Sequence, residues 1–387
     1  MISFGAPLDN HFSILRLVKS MPRVGSASLP LHGGNAPRWL FHRMVKLASS
    51  ISEVMILEYG TEELIRRLSD PFWFQAFSCV LGFDWHSSGT TTVTCGALRE
   101  ALKESDDVAV LGGKGNASRN TLRGIEEWSD KHEISVSLEK RFIRSSRLSA
   151  KVDSAAVQDG HHLYHHSFIF DPEGHWATIQ QGMSDETGYA RRYHWYSGTM
   201  ESFVEEPHEA IVGKEKGRTL DMTSRSSEGS RGISLDLVND GPKHLENDVV
   251  TVERGQTTLY QWSGQREIRL DMPRNINWNA LRRAYEFSPS NYEELLEVPG
   301  VGPSTVRALA LIGELVYGNE PSWRDPVKFS FTVGGKDGVP FPVDRKSMDR
   351  STQILIDGIE EARLGQREKL KALDRLRVMV PPDMILS

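Results

Sequence analysis

Leu295-Leu296-Glu297-Val298-Pro299-Gly300-Val301-Gly302-Pro303-Ser304-Thr305-Val306-Arg307-Ala308-Leu309-Ala310 is the stretch that orders the reading of this chain. Two apolar helical segments flank a tight turn. Glycines at the tip remove Cβ atoms, so backbone N–H groups can face an anion directly. Pro303 suits the first helical position, where its missing N–H costs nothing. The free amides and the positive helix end behind it favour a phosphate. Ser304 and Thr305 add hydroxyl donors. Gly300, Val301, Gly302, Ser304 and Thr305 are therefore the expected backbone-binding residues.

Working outward, residues 278–317 read as helical around this turn, and Ser351 to Val378 as an amphipathic tail carrying Ile354, Leu355, Ile359, Leu370 and Leu373. Upstream, residues 213–242 are rich in Ser, Gly, Arg, Lys and Asp and poor in large apolar side chains, the composition of a flexible linker. From Asn35 to Glu104 apolar residues recur at helical spacing. Val108 to Leu111 reads as a buried strand delivering the glycine loop Gly112-Gly113-Lys114-Gly115. Leu163 to Phe170 and Trp176 to Gln181 read as a β-hairpin, because Asp171-Pro172-Glu173-Gly174 has proline and glycine where a tight turn wants them. The expected class is α+β. A mixed N-terminal domain of unusual fold fills residues 1–212, a polar linker 213–245, and a mainly helical domain 246–387, with the hairpin motif at about 291–318.

The chain has 387 residues, a formal net charge of -6 and 2 cysteines, Cys79 and Cys95. No stretch reaches the roughly 18–20 apolar residues that span a bilayer, and no signal peptide opens the sequence, so a cytoplasmic protein without a disulfide framework is expected. Net negative charge excludes coating nucleic acid through bulk positive potential, so binding must use local basic patches. Lys140, Arg141, Arg144, Arg147 and Lys151 follow one another without an intervening acid, and Arg191-Arg192 form a second focus. Arg144, Arg147, Arg191 and Arg192 are the expected phosphate contacts.

Three polar clusters point to chemistry. Asp84-Trp85-His86-Ser87-Ser88-Gly89-Thr90 precedes a helix and offers caps beside an imidazole–carboxylate pair. Asp159-Gly160-His161-His162 leads into His165-His166; strand alternation puts His162, Tyr164 and His166 on one face and His165 on the other. Lysines sit in glycine contexts at Lys114 and at Lys336, within Gly334-Gly335-Lys336-Asp337-Gly338. Neither has the spacing of a phosphate-binding P-loop, but a lysine becomes a nucleophile when burial or neighbouring cations lower its pKa. Lys151, among arginines, is the first candidate, followed by Lys114 and Lys336, with Asp84, His86 and His166 as proton-transfer groups.

The Pro299-Gly300-Val301-Gly302 turn with its apolar flanks resembles the helix-hairpin-helix family, which grips nucleic-acid backbone without reading bases. Base-excision glycosylases of that family that also cut the strand place a lysine where this chain has Ser304, and Val343-Asp344 only faintly resembles their aspartate segment, so their site is not expected here. A second resemblance spans nearly the whole chain. It is carried by Leu31-His32-Gly33-Gly34-Asn35-Ala36-Pro37-Arg38-Trp39-Leu40, Asp70-Pro71-Phe72-Trp73-Phe74-Gln75-Ala76, Asp84 to Gly89, Gln180-Gln181-Gly182-Met183, Ala190-Arg191-Arg192-Tyr193-His194-Trp195, Ser322-Trp323-Arg324-Asp325-Pro326 and the Gly334–Gly338 loop. These residues resemble the prokaryotic, mainly archaeal family known as domain of unknown function 763, some relatives of which look like abasic-site lyases.

The expected function is a DNA-repair lyase, of the base-excision-repair kind, acting at abasic sites through a lysine Schiff base and β-elimination without metal or cofactor. Two alternatives stand beside it. One is a metal-dependent nuclease using Asp84, His86, Asp153, Asp159 and the histidine run; the other is a non-catalytic DNA-binding protein whose function is the hairpin alone. DNA is the expected partner in all three.

Overall fold

The computed structural model describes residues 29–31, 36–83, 87–263, 272–327, 345–362 and 365–379. Asp84, His86, Lys336 and Asp344 lie outside the described residues. The fold is α+β, as the sequence predicts. Its centre is an antiparallel sheet of β1 (Leu29–Pro30), β2 (Ala109–Lys114), β4 (His162–Phe170), β5 (Trp176–Ser184), β6 (Tyr189–Tyr196) and β7 (His208–Val212), while β3 (Val157–Gln158) and β8 (Leu220–Asp221) form a separate short ladder. The order is β1-β6-β5-β4-β2, with β7 also pairing β6. The β4–β5 hairpin forms as expected, and Asp171 closes its turn by accepting from the amides of Gly174 at 3.0 Å and His175 at 2.9 Å.

Helices cover both faces of this sheet, so β4, β5 and β6 are buried along most of their length, polar residues included. On one face Ile169, Ala177, Ile179 and Tyr196 pack against α1 (Arg38–Tyr59), α2 (Thr61–Ser69), α3 (Pro71–Leu81) and α4 (Ser88–Ala101). Alternate residues Phe168, Phe170, Trp176, Tyr193 and Trp195 face the other way. There they meet Ile125 of α6 (Thr121–Lys131), which follows the short α5 (Asn116–Arg119), and Phe142 and Leu148 of α7 (Val136–Lys151).

Three expectations are corrected. Residues 213–245 are not a linker: they contain β8, a 3-10 turn and α8 (Glu228–Asn239), which buries Ser230, Ser234, Leu237 and Val238. Small polar residues read as flexible from composition here serve as close-packing surface. Nor do residues 246–387 form one helical domain. After α9 (Pro242–Ser263), α10 (Trp278–Phe287), α11 (Tyr292–Glu297) and α12 (Pro303–Leu315) join the core of α7 and the sheet, whereas α13 (Arg345–Glu361) and α14 (Gln366–Met379) pack onto the N-terminal helices through Ile354, Leu355, Ile359, Ala372 and Leu376. Finally, Gly112 and Gly113 are inside β2, not in a loop. Gly112 has φ 89°, and a Cβ there would meet the His166 carbonyl oxygen at 2.1 Å, so glycine lets two backbones touch.

Candidate nucleic-acid interface

α7 is amphipathic. Ser135 caps it, accepting from the Leu138 amide at 3.3 Å, and Phe142, Ser145, Ser146, Leu148 and Ser149 turn inward. Lys140, Arg141 and Arg147 are exposed, and Lys151 is half-buried as its last residue. Arg144, Arg147 and Lys151 fall on neighbouring positions of one helix face. Arg144, however, is engaged with the hairpin: its guanidinium reaches Glu293 at 2.9 Å and Glu297 at 3.2 Å. It thus serves as an anchor for α11, a correction of its expected role at phosphate. Burial pushes the Lys151 ammonium below the ordinary lysine range, the direction a nucleophile needs.

Immediately after Lys151 the chain widens into a π-turn, Val152–Ala156, which carries Asp153 into the core. Its carboxylate accepts from Gln180 Nε2 at 2.5 Å, Trp195 Nε1 at 3.0 Å and His208 Nε2 at 2.5 Å. Gln180 Oε1 in turn meets His166 Nδ1 at 3.0 Å, and His166 Nε2 meets Ser146 Oγ at 2.8 Å. Burial raises the Asp153 carboxyl against the opposing pull of His208, and burial lowers the His166 imidazole. His166 is therefore a member of an internal network rather than a ring presented to a substrate, which corrects its expected role. The network escaped the sequence reading because Gln180, Trp195 and His208 belong to three different strands.

Alternation along β6 sends Arg191 and Arg192 to opposite faces, each 0% exposed. Arg191 pairs with Asp159 at 2.9 Å and with Asp325 at 2.7 Å, and donates to the Lys214 carbonyl at 2.8 Å. Arg192 donates to His194 Nε2 at 2.8 Å and stacks 4.8 Å from the Phe74 ring centroid. Neither guanidinium faces solvent, so neither contacts a phosphate; this corrects both expectations. Lys114 is exposed at the end of β2, with Nζ 5.7 Å from the Tyr164 ring. It lies over the sheet face opposite α7, because its strand partner is His165 and not His166. An irregular register between Leu163 and His165 brings the Tyr164 hydroxyl to Gln181, so Tyr164 shares the His165 face rather than the expected His166 face.

The hairpin tip is built as the sequence predicts. Asn291 caps α11, accepting from the Glu294 amide at 3.0 Å. Gly300 takes φ 89° and is held by Arg283 Nη2 donating to the Pro299 carbonyl at 2.6 Å and Asn277 Nδ2 donating to the Gly300 carbonyl at 3.2 Å. Val301 and Thr305 are buried, so they shape the tip, and only their backbone is available to a ligand. Pro303 opens α12, whose first-turn amides have no carbonyl to meet within the helix. Beside this first turn is an open cleft of about 480 Å³ lined by Gln158, Met272, Pro273, Arg274, Pro303, Ser304 and Arg307. Gln158, Arg274 and Arg307 were missed from sequence. Helical phase from Ser304 would have flagged Arg307; only the folded chain brings in Gln158, whose Nε2 donates to the Pro303 carbonyl at 2.8 Å.

Residues 25–343 match the family model described as a protein of unknown function, DUF763. The chain belongs to that family. No curated protein and no solved structure matches it. The DUF763 match takes in the sheet, the π-turn and the turn between α11 and α12, and ends before α13 and α14.

Proposed function

We propose that this DUF763 protein binds DNA through the cleft at the hairpin and cleaves it as an abasic-site lyase with Lys151 as nucleophile. The observation that carries the reading is the setting of Lys151. It is half-buried with its ammonium destabilised by desolvation, on the α7 face that also presents Arg147, and it leads directly into the π-turn on which α12 packs. Arg274, Arg307, Ser304 and the α12 amides supply phosphate contacts of the sequence-independent kind. In the reaction the neutral lysine amine adds to the aldehyde carbon of the open-chain sugar, and loss of water gives a protonated imine. Removal of the adjacent C2′ proton then expels the 3′ phosphate, and hydrolysis of the conjugated imine returns the amine. None of these steps calls on a metal.

The test is incubation with a labelled abasic oligonucleotide in excess chelator, with borohydride in half the samples. A covalent adduct that disappears in Lys151→Ala supports the lyase and names its nucleophile. An adduct that survives Lys151→Ala but not Lys114→Ala or Lys336→Ala moves the chemistry to another lysine. Cleavage restored only by magnesium or manganese establishes a nuclease instead, and intact strands under both conditions leave a binding protein.

A further inference from the structure

On the other face of the sheet from the hairpin, α1 and α14 border an open cleft of about 390 Å³. Its described lining places Arg43, Lys46, Arg367, Lys371 and Arg375 around one carboxylate, Glu368, in a chain whose net charge is -6. Arg367, Lys371 and Arg375 follow at four-residue steps, one stripe rising about 12 Å along α14. Arg43 and Lys46 make a second stripe on α1. Arg43, Lys46, Arg367 and Lys371 are exposed, and none of the four has a carboxylate partner among the described residues. Apolar burial of Ala372 and Leu376 and the bond from Arg375 Nη1 to the Val80 carbonyl at 3.2 Å hold α14 in place. Mutual repulsion of the cations opposes them.

Beside this cleft Trp39 is 62% exposed, with the Arg43 guanidinium 5.5 Å from its ring centroid. A large indole left in water next to a row of exposed cations matches the two needs of a single strand: a stacking platform for a base and counter-charge for successive phosphates. A free phosphate would leave the indole unused, whereas every base of a single strand offers it a π-face.

We infer that the α1–α14 cleft is a second nucleic-acid site, taking the backbone of a single strand on its two basic stripes with a base stacked on Trp39. It is independent of the hairpin and of Lys151, and half of it comes from α14, beyond the residues that match the family.

The test is binding of a fluorescent single-stranded oligonucleotide of about 20 nucleotides, read by anisotropy across a KCl series. Three proteins are compared: the full wild-type chain, the cleft variant Arg43→Glu/Arg367→Glu/Lys371→Glu, and the hairpin variant Gly302→Val. The cleft variant should bind at least tenfold more weakly at about 0.1 M KCl, and its log Kd against log salt slope should shrink by about 1.4–2.1, the loss of two or three single-strand phosphates. Trp39→Ala should weaken binding with the slope unchanged. Matching thermal melts check folding, and Arg43→Gln/Arg367→Gln/Lys371→Gln replaces the charge reversal if they differ. A cleft variant with wild-type affinity and slope overturns the inference. Weakening by the cleft variant but not by the hairpin variant sustains it while removing the hairpin from DNA binding. The reverse pattern sustains the hairpin alone.

Discussion

Gln158 donates from Nε2 to the carbonyl oxygen of Pro303 at 2.8 Å, across 145 residues of sequence. The bond ties the first turn of α12 to the segment that leaves Lys151, so the amides proposed to bind phosphate and the proposed nucleophile are linked through it. A lyase needs this coupling, because a strand held by its backbone must present its sugar to the amine within a small tolerance.

The two tip glycines have separable roles. At Gly300 a Cβ would meet Arg283 Nη2 at 2.8 Å and Asn277 Nδ2 at 2.9 Å on a backbone with φ 89°. At Gly302 the nearest atom is 4.0 Å away. Gly300→Val should therefore lower stability by about 1–3 kcal/mol. Gly302→Val should change it by no more than about 0.5 kcal/mol while weakening DNA binding at least tenfold, about 1.4 kcal/mol. Urea melts and anisotropy separate the two; equal stability of both variants would contradict the geometry.

Arg191→Met should be severely destabilising. It leaves the buried carboxylates of Asp159 and Asp325 facing each other without their shared cation, a loss of about 3–5 kcal/mol. Because the guanidinium is wholly buried, DNA affinity per folded molecule should not move. A urea midpoint within error of wild type would show that the ion pair is not what holds the 325 segment to β6.

Stability should fall in two acid limbs. Burial, with the charges of His166, Arg99 and Lys114, pushes the His165 imidazole down to about 3, and burial holds His166 and His194 low as well. These rings fold neutral, so their contribution is present above the unfolded value near 6.5 and is lost as pH falls below it, at up to about 1.4 kcal/mol per pH unit for each. Asp159 supplies the second limb. Burial opposes its ionisation, yet His161, Arg191 and the Tyr193 hydroxyl hold its carboxyl at about 2, so its contribution is present above the unfolded value near 4 and disappears as pH falls towards 2. Urea unfolding from pH 8 to pH 4 tests the first limb. His165→Gln should make it shallower without abolishing it, and a flat wild-type profile would mean that these rings are not buried neutral.

Lys151 should reveal its burial in the pH dependence of trapping. Since desolvation lowers its pKa, the rate of borohydride adduct formation should rise with pH and level off below the ordinary lysine value near 10.4. Lys151→Arg keeps the charge but should abolish the adduct and leave DNA affinity within about threefold, roughly 0.7 kcal/mol. Adduct formation by Lys151→Arg would place the Schiff base elsewhere.

Local chemistry was legible in the sequence wherever it depends on neighbours along the chain. The Pro299–Pro303 turn, the Asp171–Gly174 hairpin and the apolar stripes of α1 to α4 follow from glycine and proline geometry and from periodicity, and they appear where the residues put them. The Ser227–Val238 region shows where composition misleads: small polar residues look like linker, yet Ser227, Ser230 and Ser234 are buried, the Ser227 and Ser234 hydroxyls donating to the Asp221 and Ser230 carbonyls and the Ser230 hydroxyl meeting the Met222 sulfur. Arg191 and Arg192 look like a basic patch for a similar reason, since charge can be counted along a chain but burial cannot.

By itself, then, the sequence determined the α+β class, the hairpin turn and the family to which the chain belongs, because short-range sterics and periodicity are written residue by residue. Only the tertiary structure decided which cations are free. Partners such as Asp325 for Arg191, Glu297 for Arg144 and Pro303 for Gln158 lie more than a hundred residues away, and the docking of α14 beside α1 makes a basic cleft from two helices neither of which announces one alone.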